Sequence, residues 1–386
     1  MKALFAVLLL AVMATAASAQ IDENTLVPVI LAEDAEVIPG QYIVVFRPEV
    51  SLEHARIFAD SISIGRVFNI GNEFKAVAGP ISEDLLARIR RRSDLIDFIE
   101  PDQIVRVDAS QSNATWGLDR SDQASLPLNS KFNYYDSAGS GVNVYVVDTG
   151  INHGHTDFGG RAKNGYNFHG GNSNANDDNG HGTHCAGTVG GKTWGMAKKA
   201  TLYSVKVLGA NGSGSLSNVA AGVSWHKKSS NKKTIASMSL GGGANNTVDN
   251  AVRSAITAGV SVIVAAGNEN RDACNSSPAR VSTAVTVSAS DKNDTRASFS
   301  NYGSCSHIFA PGVSITSTWI GSSSATKTIS GTSMACPHVA GAAALMMGQS
   351  GALSPATVKN NLINNSTKNK IKDVKGTPNR LLFAKY

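Results

Sequence analysis

Long apolar runs are scarce in this chain: past its first residues no stretch of about 18 consecutive apolar residues occurs, so the body carries no membrane-spanning helix. Cysteine is sparse too, four in 386 residues, with no C-x-x-C pair. His181 and His184 stand three apart, but no H-E-x-x-H glutamate accompanies them, so the common zinc patterns are missing. Aromatics make up only 6% of the chain, and none interleave the pairs Lys198-Lys199, Lys227-Lys228 and Lys232-Lys233. Those lysines read as solvated surface, and no nucleic-acid partner is expected.

What is present is ordinary for a globular protein: 42% hydrophobic and 17% charged residues. Residues 1–19 hold one lysine, an apolar run from Ala3 to Val12 and a small-residue end, Ala17-Ser18-Ala19, the three-part pattern of a secretory signal. Export and solubility are expected, with no membrane attachment. Charge divides the remainder. Residues 20–108 carry nine Lys/Arg against sixteen Asp/Glu, a net of −7, while 109–386 carry 25 against 13, a net of +12. Two independently soluble segments account for this, as does an acidic segment held on a basic one by complementary fields.

Residues 40–108 read as a small α+β domain. Gln41 to Phe46 is a strand, Ser51–Ser61 and Ser82–Arg92 are helices, and the segment from Ile96 ends in strand-like alternation. Val107 to Thr115 turns small and polar, as a processing site or linker would. Beyond Trp116, short apolar strands alternate with helical stretches: VNVYVVDTG, TLYSVKVLG, TIASMSLGGG, VSVIVAAGNEN and AVTVSAS. This suits an α/β domain with a mostly parallel sheet and helices on both faces. Each strand runs into a polar or glycine-rich turn at its C-terminal end, the edge where such sheets build their sites.

Three of the turns carry chemistry. Asp148 follows the strand Val142 to Val147, and alone it reads as readily as a turn former. His181, flanked by Gly180 and Gly182, opens a small-residue helical run, and alone it is equally a structural histidine. Ser333, in GTSMACPHVAG, precedes an apolar helical run started by Pro337, so its hydroxyl sits where a helix N-terminus favours an oxyanion. Together they supply an orienting acid, a base and a nucleophile. The order Asp, His, Ser and the absence of G-x-S-x-G exclude the α/β-hydrolase arrangement.

DTGI, GHGTHCAG, SMSLGGG, AAGNEN and GTSMACPHVAG, standing in this order, resemble the signature segments of subtilisin-like serine proteases, nearest the proteinase K and aqualysin branch. The likeness runs from Trp116 to the final NRLLF. It implies a secreted serine endopeptidase domain over 109–386, with 20–108 an inhibitory propeptide that assists folding and is cleaved near Asp108/Ala109. It implies that Asn268 donates its amide to the oxyanion beside the Ser333 backbone N–H. A protein substrate would lie as an extended strand between Ser239-Leu240-Gly241 and Gly212-Ser213-Gly214. Ala265, Ala266 and Gly267 would wall the pocket for the residue before the scissile bond. No acid is evident there, so broad cleavage after apolar or aromatic residues is expected, from neutral to alkaline pH because His181 must be neutral to act as base.

The resemblance further implies a Cys274–Cys305 disulfide, closing a loop of roughly thirty residues worth about 3 kcal/mol in the chain-entropy model. Cys185 and Cys336 are expected as free buried thiols, which predicts sensitivity to mercurials; a Cys185–Cys336 bond is the alternative. No cofactor is expected in catalysis. A structural Ca²⁺ is expected at Asp119, Asp122 and Gln123, with Asn129 a further candidate. A second family calcium site uses an acid shortly after SNYG, where this chain has His307, a residue a hard cation would not choose. Sequons occur at Asn113, Asn211, Asn245, Asn275, Asn293, Asn364 and Asn365, and a glycan at Asn211 would crowd the proposed substrate rim. The enzyme is expected to act as a monomer. The rival from another class is a catalytically silent binding module, free to lose any of the four chemical residues, all of which this chain keeps.

Overall fold

The computed structural model describes residues 26–31, 37–64, 66–70, 74–103, 108–225 and 231–384. The signal segment 1–19, the residues 104–107 just before the expected cleavage point and the Lys227-Lys228 pair lie outside them. The chain divides between Arg106 and Val107 into two compact units.

The first unit has the expected α+β character. Its four-stranded antiparallel sheet runs Arg66–Ile70, Phe74–Pro80, Val37–Phe46, Ile96–Gln103. Helix Leu52–Ser61 starts where Ser51 Oγ accepts the His54 N–H, and helix Glu83–Ile89 where Ser82 Oγ accepts the Leu85 N–H. Their apolar faces bury Phe58, Leu86 and Ile89 against Val44, Phe46, Val77 and Ile99 of the sheet.

A nine-stranded sheet organises the second unit, in the order Ala162–Asn167, Thr201–Lys206, Asn143–Asp148, Thr234–Met238, Ser261–Ala265, Val285–Ser290, Ile308–Pro311, Arg380–Leu381, Thr367–Lys368. All neighbours are parallel except the last pair. The inner strands, from Asn143–Asp148 to Ile308–Pro311, are buried along nearly their whole length because both faces are covered, while the edge strands Ala162–Asn167 and Thr367–Lys368 are polar. One face packs helices Leu216–Val223 and Asn246–Thr257 over Tyr145, Val147, Val205 and Val262. The other packs helices His181–Gly190 and Thr332–Ser350 over Val144, Val146, Ile263 and Val287. The 19-residue helix Thr332–Ser350 is apolar around its circumference and buried on nearly every side, as a helix in the middle of a core must be. Starting from Asn143–Asp148 the chain adds strands first on one side and then on the other, so the crevice beyond Asp148 is a topological switch point.

Two sequence expectations change. The segment taken as a linker contains the strand Asp108–Ser112, paired antiparallel with Lys131–Tyr135, because its alternation finds a partner 20-odd residues downstream. Lys198 is not freely solvated: its ammonium stands 5.4 Å from the rings of both Phe132 and Tyr134 and donates to Gln111 Oε1 and Gly195 O. Among the described residues no helix is long and apolar enough to cross a membrane.

Candidate active site

Asp148 ends the strand at the switch point and is wholly buried, so it serves as an interior charge and not as a turn former. Its Oδ1 accepts the Thr149 N–H at 2.7 Å and stands 2.7 Å from His181 Nδ1, while Oδ2 is buried without a partner. His181 is the first residue of its helix. Glycine on either side serves close approach: a Cβ on Gly180, at φ +109°, would meet the Trp319 ring at 2.4 Å, and one on Gly182 would meet Gly150 O at 2.2 Å and Asp148 Cβ at 3.1 Å. The helix start can therefore be pressed onto the strand end that carries the acid.

Sequence reasoning missed the residue that fixes this junction. Buried Asp177 accepts from Thr149 Oγ1, from the backbone N–H groups of Asn179, Gly180 and Thr183, and from Thr183 Oγ1, all at 2.6–3.0 Å. It ties the Asp148 turn to the first turn of the His181 helix. The available signal was an acid four residues before His181, where a helix N-terminus favours negative charge. Burial works against an imidazolium at His181, yet the Asp148 carboxylate outweighs it and raises the pKa well above the ordinary 6.5. Beneath the ring, Cys185 Sγ lies 4.0 Å from Nδ1. Burial pushes that thiol's pKa up.

Ser333 lies in the first turn of helix Thr332–Ser350, which begins five residues before Pro337. Proline is inside the helix and not at its start, and this has a consequence for the serine. Pro337 has no N–H for the carbonyl four residues back, which is that of Ser333. That freed oxygen accepts instead from Ser239 Oγ at 2.9 Å and Cys185 Sγ at 3.4 Å. Cys185 thereby touches both the histidine and the serine backbone, which places the two residues side by side. The Ser333 hydroxyl itself donates to Ser239 O at 3.2 Å rather than to His181, as hydroxyls of this kind do before substrate aligns them.

Asn268 Oδ1 accepts from Thr332 N–H at 2.8 Å and Thr332 Oγ1 at 2.9 Å. The amide is thus oriented with Nδ2 outward. A Cβ built on Gly331 would lie 3.7 Å from Asn268 Nδ2 and 3.6 Å from Ser333 N, so two N–H donors border one small space. Donors grouped around one space can stabilise a developing oxyanion.

Both rims expected for substrate, Gly212, Ser213 and Gly214 and Ser239, Leu240 and Gly241, line one cleft of about 390 Å³ together with His181. A second cleft of about 190 Å³ shares Ser239–Gly241 and is lined by Ala265, Ala266, Gly267, Asn268 and Ser333. Its lining corrects the expectation of a pocket without acids. Glu269 and Arg271 are part of it, 3.8 Å apart and each about half exposed, with Glu269 Oε2 accepting from Asn301 Nδ2. Both follow the AAGN turn, and only the fold turns them toward the cleft.

Cys274 and Cys305 form the expected disulfide, while Cys185 and Cys336 are free and buried. His184 does not join His181: its Nε2 faces the carbonyls of Ile315 and Lys327 at 3.0 and 3.1 Å, and burial lowers its pKa to about 4.

An acid, a base and a hydroxyl brought to the crevice of a parallel α/β sheet, beside two N–H donors, are the parts that serine hydrolysis requires. Residues 139–381 match the model of the subtilase family of peptidases. The chain is 46% identical over 382 residues to an extracellular serine proteinase of a Thermus species, covering 93% of each, and 45% identical to an alkaline serine protease of Corniculantispora psalliotae, covering 97% of each. Its fold matches the crystal structure of a cold-adapted subtilisin-like serine proteinase with a TM-score of 0.70 at 48% identity, covering 71% of this chain and all of the other. The chain belongs to the subtilase family and is a serine endopeptidase.

Proposed function

We propose that the chain is an exported, self-processing endopeptidase in which Asp148, His181 and Ser333 form the catalytic triad and residues 20–108 act as an inhibitory propeptide. The observation that carries the reading is the 2.7 Å contact of Asp148 with His181 Nδ1, beside a serine whose N–H and the Asn268 amide border one space. Asp148 accepts the Nδ1 proton and leaves the Nε2 lone pair toward the cleft. The Ser333 hydroxyl turns from Ser239 O to His181 and gives up its proton as Oγ bonds to the substrate carbonyl carbon. The carbonyl electrons move to the oxygen, where Asn268 Nδ2 and Ser333 N donate to it. Collapse expels the amine, which takes the proton from His181, and water then repeats the sequence on the acyl-enzyme.

Extended protein substrate fits between the two rims, with an apolar or aromatic side chain before the scissile bond; the Arg271 guanidinium beside Glu269 offsets that acid's pull on basic side chains. Expression of residues 20–386 as wild type and as Ser333→Ala tests the whole reading. Wild type loses the acidic segment and digests casein, whereas Ser333→Ala folds and stays full length. Maturation of Ser333→Ala by itself, or a wild type inert on casein, would refute it, the latter leaving a silent binding module.

Catalysis needs no cofactor. Asp119, Asp122 and Gln123 form the candidate seat of a structural Ca²⁺. Asp122 Oδ1 and Gln123 Oε1 are buried without partners, and burial raises the Asp122 pKa to about 6, with Asp119 adding to it. Oxygen donors short of a counter-charge suit a hard cation. Asp119 and Asn129 also hold the turn itself: the Asp119 oxygens accept the N–H groups of Asn129 and Ser130, and Asn129 Oδ1 accepts that of Lys131. Chelation is expected to lower the thermal midpoint without altering the active-site chemistry; no shift would remove calcium from the account.

A further inference from the structure

His307 stands where the family resemblance would put an acidic calcium ligand, and its surroundings are unlike a metal site. Nδ1 accepts the Thr286 N–H at 3.0 Å, and a backbone N–H can only donate, so the ring's own proton is on Nε2. That edge faces Lys359 Nζ at 2.9 Å. The same amine donates to the carbonyls of Ser282 and Ala284, the latter at 3.0 Å. Two carbonyl oxygens from one turn and a ring nitrogen from the residue before strand Ile308–Pro311 thus converge on one point, and a lysine reaches it from helix Pro355–Asn365. A convergent carbonyl pair is a donor set that a hard divalent cation takes when an acid completes it. Here neither nitrogen of His307 is available to an ion, and the point itself is filled.

We propose that the Lys359 amine occupies, from within the chain, a seat that an acid at position 307 would make for a divalent cation, so that this corner is locked without metal. The hydrogen-bond pattern is that of the neutral amine, which donates twice to the carbonyls and accepts from Nε2–H and predominates once the pH exceeds about 8. Burial, with the Arg380 guanidinium nearby, lowers the Lys359 pKa to about 8, and burial with the charges of Lys359 and Arg380 lowers that of His307 to about 4. The amine joins three separated segments: the turn before strand Val285–Ser290, the residue before strand Ile308–Pro311, and the helix Pro355–Asn365.

The test compares thermal midpoints of the full chain in a Ser333→Ala background, in chelator and in millimolar calcium. Any ion at Asp122 contributes equally to every variant, so differences in the calcium increment report this corner alone. Lys359→Met is expected to lower the midpoint equally in both conditions. His307→Asp combined with Lys359→Met is expected to add a calcium-dependent rise of roughly 5 °C at calcium a hundredfold above Kd. A Lys359→Met chain as stable as its parent, or a double variant without added calcium response, would overturn the proposal. So would a calcium increment in the parent that His307→Ala abolishes, since the ion and not the amine would then hold the seat. If the double variant does not fold, competitive acetylation of the Ser333→Ala chain decides: calcium leaves Lys359 reactivity unchanged if the amine is seated and changes it if an ion displaces it.

Discussion

Replacing Ser239 by alanine removes the hydroxyl that donates to the Ser333 carbonyl at 2.9 Å. The oxygen cannot turn to its own helix, because Pro337 occupies the position that would have supplied the N–H. Cys185 Sγ, at 3.4 Å, remains as a weak donor. Leaving a buried acceptor short of a partner costs about 1–3 kcal/mol. With the thiol still present the lower part of that range applies, about 1–2 kcal/mol, or a fall of roughly 2–6 °C in the thermal midpoint. The same substitution in a Pro337→Ala chain should cost far less, since residue 337 then offers a main-chain N–H to the orphaned carbonyl. The assay is a double-mutant cycle of thermal or denaturant midpoints in a Ser333→Ala background, which keeps the carbonyl and prevents self-digestion. Pro337→Ala has its own packing cost, which the cycle cancels. A coupling near zero, with Ser239→Ala equally damaging beside proline or alanine, would refute the reasoning.

Other predictions concern turnover, pH and the disulfide. Asn268→Leu should lower kcat by about 10²–10³ with little change in KM, measured on a peptide amide, because the amide meets charge that exists only in the transition state; a loss below threefold would remove it from the oxyanion site. Because the base must be neutral and Asp148 raises the His181 pKa, kcat/KM should climb with pH until well above 6.5. In Asp148→Asn that rising limb should move to lower pH while the maximum rate drops; an unmoved limb would mean that Asp148 does not set it. Breaking Cys274–Cys305, 31 residues apart, by Cys→Ser at both positions should cost roughly 3–4 kcal/mol, read from thermal midpoints. At Asp122 the folded pKa of about 6 exceeds the ordinary 3.8, so in chelator stability should fall as pH rises between those values. Calcium should flatten that slope, and Asp122→Asn should abolish it.

The sequence by itself determined the kinds of chemistry and where they lie along the chain. Continuous apolar strands, each ending in a polar turn, were enough to foresee a covered parallel sheet; Asp148, His181 and Ser333 were visible because each stands in a short local motif, and Asn268 through the family resemblance of AAGNEN. Apolar periodicity and turn chemistry are local properties, so they can be read without coordinates. The tertiary structure decided what those residues lean on. Ser239 and Cys185 meet the Ser333 carbonyl across 94 and 148 positions, and Lys359 reaches His307 across 52. Glu269 and Arg271 enter the smaller cleft only because the turn after Ala265 folds back beside the serine. Asp177 gathers donors from two turns that converge only once the His181 helix packs on the sheet. Apart from the half-exposed Glu269 and Arg271, these contacts satisfy polar groups drawn away from water, and which partner does so depends on how distant elements are packed, a property with no period in the sequence.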